Sequence, residues 1–414
     1  MKEILGIVAF ALLILISVSL HEAGHMATAK MFGMKVTRFF VGFGPTLWSF
    51  RRGETEYGLK GIPLGGFVKI VGMTAADDDV EPQDEHRAMW RYPVWKRTIV
   101  MSAGSAVHFL LALVATWVMA MTLGLPNRSL PDEASALPAY VKVTECVVVA
   151  NDPTRACSAA DPRSPAALAG LRDNDRITAI NGTPVSTFAD LLATTRTVPP
   201  GPATISFERD GQPRTLTVDL AAVQRAPVDD PAGAPRTVSA MGVGLTLPPG
   251  TRTMLTYGPG EAVGATLSFT GFLADKTVEA MQRFPEKIPA LWASLTGAER
   301  DADTPISVVG ASRLGGEAFA HDAWEMFLFL FISLNFFVGL FNLLPLLPLD
   351  GGHIAISWYE KARSWLYGRI GRRDPGRVDY AKLMPLTYGV ILVFGAFTLL
   401  TVAADIINPI TLFR

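Results

Sequence analysis

The chain has 414 residues, room for two or three domains, and only 18% of them are charged, against about 25% in ordinary soluble chains. A net charge of -1 gives no electrostatic basis for binding nucleic acid, and no nucleic-acid motif is present. Two cysteines, Cys146 and Cys157, are too few for a disulfide scaffold and too isolated for a cysteine-based zinc site.

The missing charge is concentrated in a few apolar runs. The first, Ile4 to Leu20, would make about 26 Å of helix, slightly short of a hydrocarbon core of about 30 Å, and it can continue through Ala23, Met26, Ala27 and Ala29. A cleaved signal peptide is the competing interpretation, because Lys2 precedes the run and Ala27-Thr28-Ala29 imitates a cleavage site. Cutting there would discard the five residues that follow the run, His21-Glu22-Ala23-Gly24-His25. On a helix, positions i and i+4 share a face, so His21 and His25 can present two imidazoles to one metal ion with Glu22 beside it. This is the zincin spacing: zinc takes two imidazoles and a third protein ligand and leaves a position to water, whose proton Glu22 would accept. Ionisable groups inside a membrane span point to function.

Between Arg38 and Gly72 glycines interrupt apolar and β-branched residues, as in Gly42-Phe43-Gly44-Pro45 and Gly65-Gly66-Phe67-Val68. The pattern predicts short bent strands with a tight turn, placed against the metal site or, alternatively, forming an ordinary membrane-surface hairpin. Ala75 to Glu85, with Asp77-Asp78-Asp79, is expected to be a solvated loop. A second span is expected over Thr98 to Leu125, opening with small residues from Ser102 to Ala106 that allow close helix approach.

From Pro126 to about Leu247 the composition becomes that of a soluble α/β domain. Strand is expected over Tyr140 to Ala150, a short helix with a glycine stop over Ser164 to Leu171, and a strand running into a turn over Asp175 to Gly182. Phe188 to Thr195 should be helical, and Ala203 to Leu220 a hairpin turning at Asp210-Gly211. Val228 to Pro235 is a Pro/Asp linker, and Glu261 to Phe284 a partly amphipathic helix.

The third span should run from Trp324 to about Leu344 with Asn335 and Asn342 on one face. It ends in Asn342-Leu343-Leu344-Pro345-Leu346-Leu347-Pro348-Leu349-Asp350-Gly351-Gly352-His353, where two prolines break the helix. Broken backbone at membrane depth survives only where it lines protein or a water cavity, so Asp350 sits where a third ligand could. Leu383 to Ile407 makes a fourth span, and no internal repeat suggests a transporter. Lys and Arg are concentrated between Lys30 and Arg97 and between Lys361 and Lys382, which makes both segments cytoplasmic. The metal motif and Asp350 then lie at the cytoplasmic ends of their helices, and the soluble domain lies outside, where Cys146 and Cys157 could pair.

These residues resemble the site-2 proteases, intramembrane zinc metalloproteases of regulated intramembrane proteolysis, in their bacterial sigma-factor-regulating branch. The resemblance rests on His-Glu-Ala-Gly-His at 21–25, Gly-Gly-Phe-Val at 65–68, and the run from Asn342 to His353. It also includes a PDZ-like domain, through Ser-Pro-Ala-Ala-Leu-Ala-Gly-Leu at 164–171 and Asp-Arg-Ile-Thr-Ala-Ile-Asn-Gly at 175–182. It implies that His21, His25 and Asp350 bind Zn²⁺, that Glu22 is the catalytic acid/base, and that Asn342 helps hold substrate. Gly65, Gly66 and Phe67 would belong to a membrane re-entrant β element that meets the substrate. The chain departs from the family pattern after Ala103-Gly104, where Pro-x-x-Asn is usual and Ser105 and His108 stand instead.

The expected fold is therefore an α-helical polytopic membrane protein, with four transmembrane helices and a re-entrant β element, carrying an inserted α/β PDZ-like domain. Its segments are a first membrane part over 1–125, the extracytoplasmic domain over 126–247, a linker and amphipathic helical region over 248–323, and a second membrane part over 324–414. The expected function is cleavage of a transmembrane segment of another protein in the inner or plasma membrane. The resemblance implies an anti-sigma factor already shortened by an upstream site-1-type protease, or a remnant signal peptide, as substrate. An inactive PDZ membrane scaffold and a membrane-tethered conventional zincin are the alternatives. The first has no need of ionised groups in lipid. The second needs a third ligand in the soluble domain, yet 126–247 contains no histidine.

Overall fold

The computed structural model describes residues 1–73, 80–131, 133–150, 156–227, 233–298 and 300–413. The acidic run Asp77-Asp78-Asp79 and the first part of the 228–235 linker fall outside them. The chain forms two units, one of residues 1–125 and 256–414, the other of 126–255.

In the first unit, helix α1 (Lys2–Met31) is followed by strands β1 (Val36–Arg52) and β2 (Thr55–Ile70), then helix α2 (Val94–Thr122). Four helices are long and apolar enough to cross a membrane: α1, α2, and two later ones, Trp324–Asn342 and Tyr380–Ile407. The N-terminal helix does not stop with the apolar run at Leu20. No proline interrupts it before Gly33, which takes a positive φ, so the helix carries the histidine pair inside it.

Strands β1 and β2 each fold back on themselves. Phe39 faces both Val68 and Tyr57, and Val41 faces both Gly66 and Leu59, so 36–43 is flanked on one side by 62–70 and on the other by 55–60, which in turn pairs with 46–52. Only the 62–70 half of β2 is therefore a free edge among the described residues; the 55–60 half is enclosed. The bend at Gly42 requires its glycine, because its φ is +89° and a Cβ there would meet the Ile62 carbonyl at 2.8 Å. At the far turn, Arg87 donates to both oxygens of Glu54 at 2.6 and 2.7 Å and to the Gly33 carbonyl at 3.1 Å, which ties the hairpin to the end of α1. The guanidinium holds the Glu54 carboxyl below its usual range.

The second unit contains helices α3 (Pro165–Ala169) and α4 (Phe188–Thr197) on one antiparallel sheet. Its strand order is Val243–Leu245, Tyr140–Val143, Asp175–Ile180, Gly201–Arg209, Gln212–Arg225, Arg236–Ala240, with Thr183–Pro184 beside Asp175–Ile180. The local signals act as expected from sequence. Ser164 caps α3 and Gly170 ends it in the left-handed region; Thr187 and Asp190 form a capping box on α4; Asp210 and Gly211 both take positive φ at the hairpin turn. Strand ends at Val143, earlier than the apolar run to Ala150 suggests, and Cys146, further along, is joined to Cys157. Asp175 is buried and answered by two Arg209 hydrogen bonds of 2.7 Å and by the Arg172 N–H at 2.8 Å. The core lies between sheet and helices and includes Val141, Ile177, Leu191, Ile205 and Val218.

The first unit resumes with α5 (Glu261–Leu295), α6 (Val308–Ala320), α7 (Trp324–Asn342), α8 (Asp350–Arg369) and α9 (Tyr380–Ile407). Helix α5 runs on past Phe284 through Pro285 and Pro289. Helices α6 and α8 are not singled out by the sequence: α6 contains Gly310, Gly315 and Gly316, poor helix formers, and α8 begins just after the two prolines that break α7. Helix α6 is a packing element. Its Gly315 and Gly316 lie against Phe10 and Ile7 of α1, and Gly6 of α1 lies against Phe319, so the two backbones approach more closely than any side chain would allow.

Candidate metal centre

Two chain segments bring the site together. His21 and His25 stand one turn apart on α1, both buried, and Asp350 is the first residue of α8, just past the break that follows α7. The Nε2 atoms of the two histidines are 3.0 Å apart, and each is 3.3 Å from Asp350 Oδ2. Three donors at about 2.0–2.1 Å from one ion at tetrahedral angles stand roughly 3.3 Å from each other, so this triangle has the dimensions of a zinc site.

The hydrogen-bond inventory leads to the same conclusion. Among the described residues, Asp350 Oδ2 is buried without a hydrogen-bond partner, and the facing imidazole nitrogens have only each other and that oxygen. Buried lone pairs converging on one point are costly unless a cation satisfies them. His21, His25 and Asp350 fit a zinc ion, each offering one ligand atom, all within 4.8 Å of one another.

Helix α2 orients the two histidines. His25 Nδ1 is 2.7 Å from the Val100 carbonyl, the contact that fixes the ring with Nε2 toward the metal position. Gly104 lies under both rings, and a Cβ there would overlap His21 and His25. Gly24 meets the Ala103 carbonyl at 2.8 Å from an added Cβ, so α1 and α2 touch backbone to backbone at this level.

One turn before His21, Ser17 of α1, His108 of α2 and Asn335 of α7 join in a buried polar knot. His108 Nδ1 lies 2.8 Å from Asn335 Oδ1 and 3.1 Å from Ser17 Oγ, Ser17 Oγ also bonds Asn335, and Asn335 Nδ2 donates to the Phe331 carbonyl at 2.9 Å. The His108 ring centroid is 5.0 Å from that of His21. His108, which departs from the family pattern, thus binds three spans together, while Ser105 is buried with its hydroxyl unpaired.

The free edge of β2 runs beside Glu22. A Cβ on Gly66 would lie 3.6 Å from Glu22 Cγ. Phe67 stacks on Phe40 and Phe43 at ring-centroid distances of 5.6 and 6.2 Å, and Gly65 takes a φ of +122° next to Phe43. Asn342 is the last residue of α7, partly buried. Sequence reading missed the Val100 carbonyl, a backbone acceptor without a sequence signature, and the role of Ser17. Its i−4 spacing from His21 was the available signal for the latter.

The chain matches the model of peptidase family M50 over residues 9–372, a range that includes His21, His25 and Asp350. It is 46% identical to the zinc metalloprotease Rip1 of Mycolicibacterium smegmatis over 99% of each chain, and 43% identical to the zinc metalloprotease Rip1 of Mycobacterium tuberculosis H37Rv over the full length of both. A putative zinc metalloprotease of Brucella suis is 30% identical over 86% of this chain and 85% of its own. With a metal triangle of zinc dimensions on membrane-length helices and a family match running through every residue that forms it, the chain belongs to peptidase family M50, the site-2 proteases, and is a membrane zinc metalloprotease.

Proposed function

We propose that this protease cuts a transmembrane segment of another membrane protein, with His21, His25 and Asp350 holding zinc and Glu22 moving the proton. The observation that carries this reading is the placement of the ligand triangle beside a free strand edge, at the ends of membrane-length helices. Zinc, when bound, polarises the scissile carbonyl and makes a water nucleophilic near neutral pH. Glu22, adjacent to His21 but outside the ligand set, is placed to accept that water's proton and return it to the leaving amide nitrogen.

A substrate helix hides its carbonyls in its own hydrogen bonds, and a few residues must unwind before attack. Unwound N–H and C=O groups in lipid need partners. The free edge over 62–70, containing Gly65, Gly66 and Phe67, is suited to receive an extended segment by strand addition, and Asn342 would supply a side-chain amide. The concentration of Lys and Arg between Lys30 and Arg97 supports a cytoplasmic position for the metal end of α1. The 126–255 unit would then be extracytoplasmic, in keeping with its disulfide. Its sheet with two short helices is compatible with a PDZ-like domain, and we assign it the role of a size filter that excludes substrates with large exterior parts. The substrate class is then an anti-sigma factor pre-trimmed by a site-1-type protease, or a remnant signal peptide.

The test is cleavage of a membrane-spanning substrate by the reconstituted full chain and by Glu22→Gln. The variant should keep zinc and lose hydrolysis. Cleavage should be faster when the substrate carries Gly or Pro near its cytoplasmic end than when that stretch is leucine. Equal rates for the two substrates would refute the unwinding mechanism, and an active Glu22→Gln enzyme would remove Glu22 from catalysis.

A further inference from the structure

Helix α8 does more than begin with a metal ligand. It is not among the four helices that can cross a membrane, yet it lies between the ends of two that can, so it is confined to one membrane face. It is fixed to α2 through Glu360, which accepts from both terminal nitrogens of Arg97 at 3.3 Å, and at the edge of its outer side through Trp358, whose Nε1 donates to Thr98 Oγ1 at 3.0 Å while its ring stays half-exposed. Its outer side carries Trp358, Ala362, Trp365, Leu366 and Ile370, spaced i, i+4, i+7, i+8 and i+12, which is one stripe of a helix. Trp365 and Ile370 are 58% and 53% exposed.

Cations border this stripe. Lys361 flanks it on one side, Arg369 lies within its last turn, and Arg372 and Arg373 follow its C-terminal end. Arg369 lies over the Trp365 ring at 4.5 Å, and none of the four side chains has a carboxylate partner among the described residues. Arg363, on the other border, is already committed to the Gly376 carbonyl at 2.6 Å. An exposed apolar stripe rich in tryptophan, edged by unpaired Lys and Arg on flexible stems, has the composition of a helix lying in a headgroup layer, with its cations reaching phosphates.

We propose that α8 docks on the leaflet next to the metal site and that Lys361, Arg369, Arg372 and Arg373 bind the phosphates of anionic phospholipids. The apolar stripe supplies contact with acyl chains, and the four cations supply selectivity for negative headgroups. The proposal concerns lipid binding and does not depend on the proteolytic reading.

The full chain is reconstituted in vesicles of phosphatidylcholine, alone or with about one-third phosphatidylglycerol, a surface on which each cation contributes roughly a fivefold preference. Cys146 and Cys157 are paired, so an Ala362→Cys substitution gives a single site for a nitroxide, whose immersion is read from its collisions with oxygen and with a water-soluble nickel chelate. The label should be immersed in the phosphatidylglycerol vesicles and markedly less so in phosphatidylcholine. The variant K361Q/R369Q/R372Q/R373Q should lose the difference, its docked-to-free ratio on anionic vesicles falling a hundredfold or more. Immersion that is equal in the two vesicle types, or unchanged in the quadruple variant, would overturn the proposal. Phosphatidylglycerol retained through purification, counted per protein, provides a second readout and should fall in the same variant.

Discussion

Gly104→Ala tests the claim that α2 shapes the metal centre. A methyl group at that position overlaps Cε1 and Nε2 of His21 and Nε2 of His25, whereas unstrained carbon contacts lie at about 3.5–4.0 Å. Both rings would have to withdraw by roughly 1 Å, several times the ~0.2 Å tolerance of a metal–ligand distance. Two effects oppose each other in fold stability. Alanine favours a helix interior over glycine by about 0.8–1.0 kcal/mol, and overpacking costs about 1–3 kcal/mol, so the net loss is small and the protein should fold. Zinc binding has no such compensation and should weaken at least tenfold, on the scale of about 10–100-fold seen when the groups that orient ligands are lost. The assay is competition with a chromogenic chelator on the purified protein, alongside Gly389→Ala, where an added Cβ meets nothing within 4 Å. A Gly104→Ala protein that holds zinc as tightly as the Gly389→Ala control would refute the packing argument.

Val68→Pro disrupts the 62–70 edge that would receive the substrate, and should lower cleavage while zinc content, measured by atomic absorption, stays at one equivalent. Replacing Cys146 and Cys157 by serine opens a loop spanning 11 positions in sequence, and should cost the 126–255 unit about 3 kcal/mol in denaturant unfolding. Two alkylatable thiols in untreated membranes would contradict both the bridge and the exterior placement. Arg300→Met leaves Asp405 buried without its 2.7 Å ion-pair partner, a loss of about 3–5 kcal/mol, which should appear as a lower melting temperature with zinc affinity unchanged.

The sequence by itself determined the elements whose signals are local. The histidine pair needs only helical periodicity to share a face, and α3, α4 and the Asp210-Gly211 turn carry their caps and turn residues within a few positions. Hydropathy alone located the four spans, because in lipid a long uninterrupted apolar run has almost no alternative to helix. What depends on distant backbone could not be read in advance. That Val100 supplies a carbonyl to His25, that Gly104 is small because two rings lie on it, and that 62–70 is a free edge while 55–60 is enclosed are consequences of which segments pack together. Helix α6 was hidden for the same reason. Its glycines are poor helix formers in isolation, and they serve as helix only because α1 fits against them, a contact between residues more than 300 positions apart that no window of sequence contains.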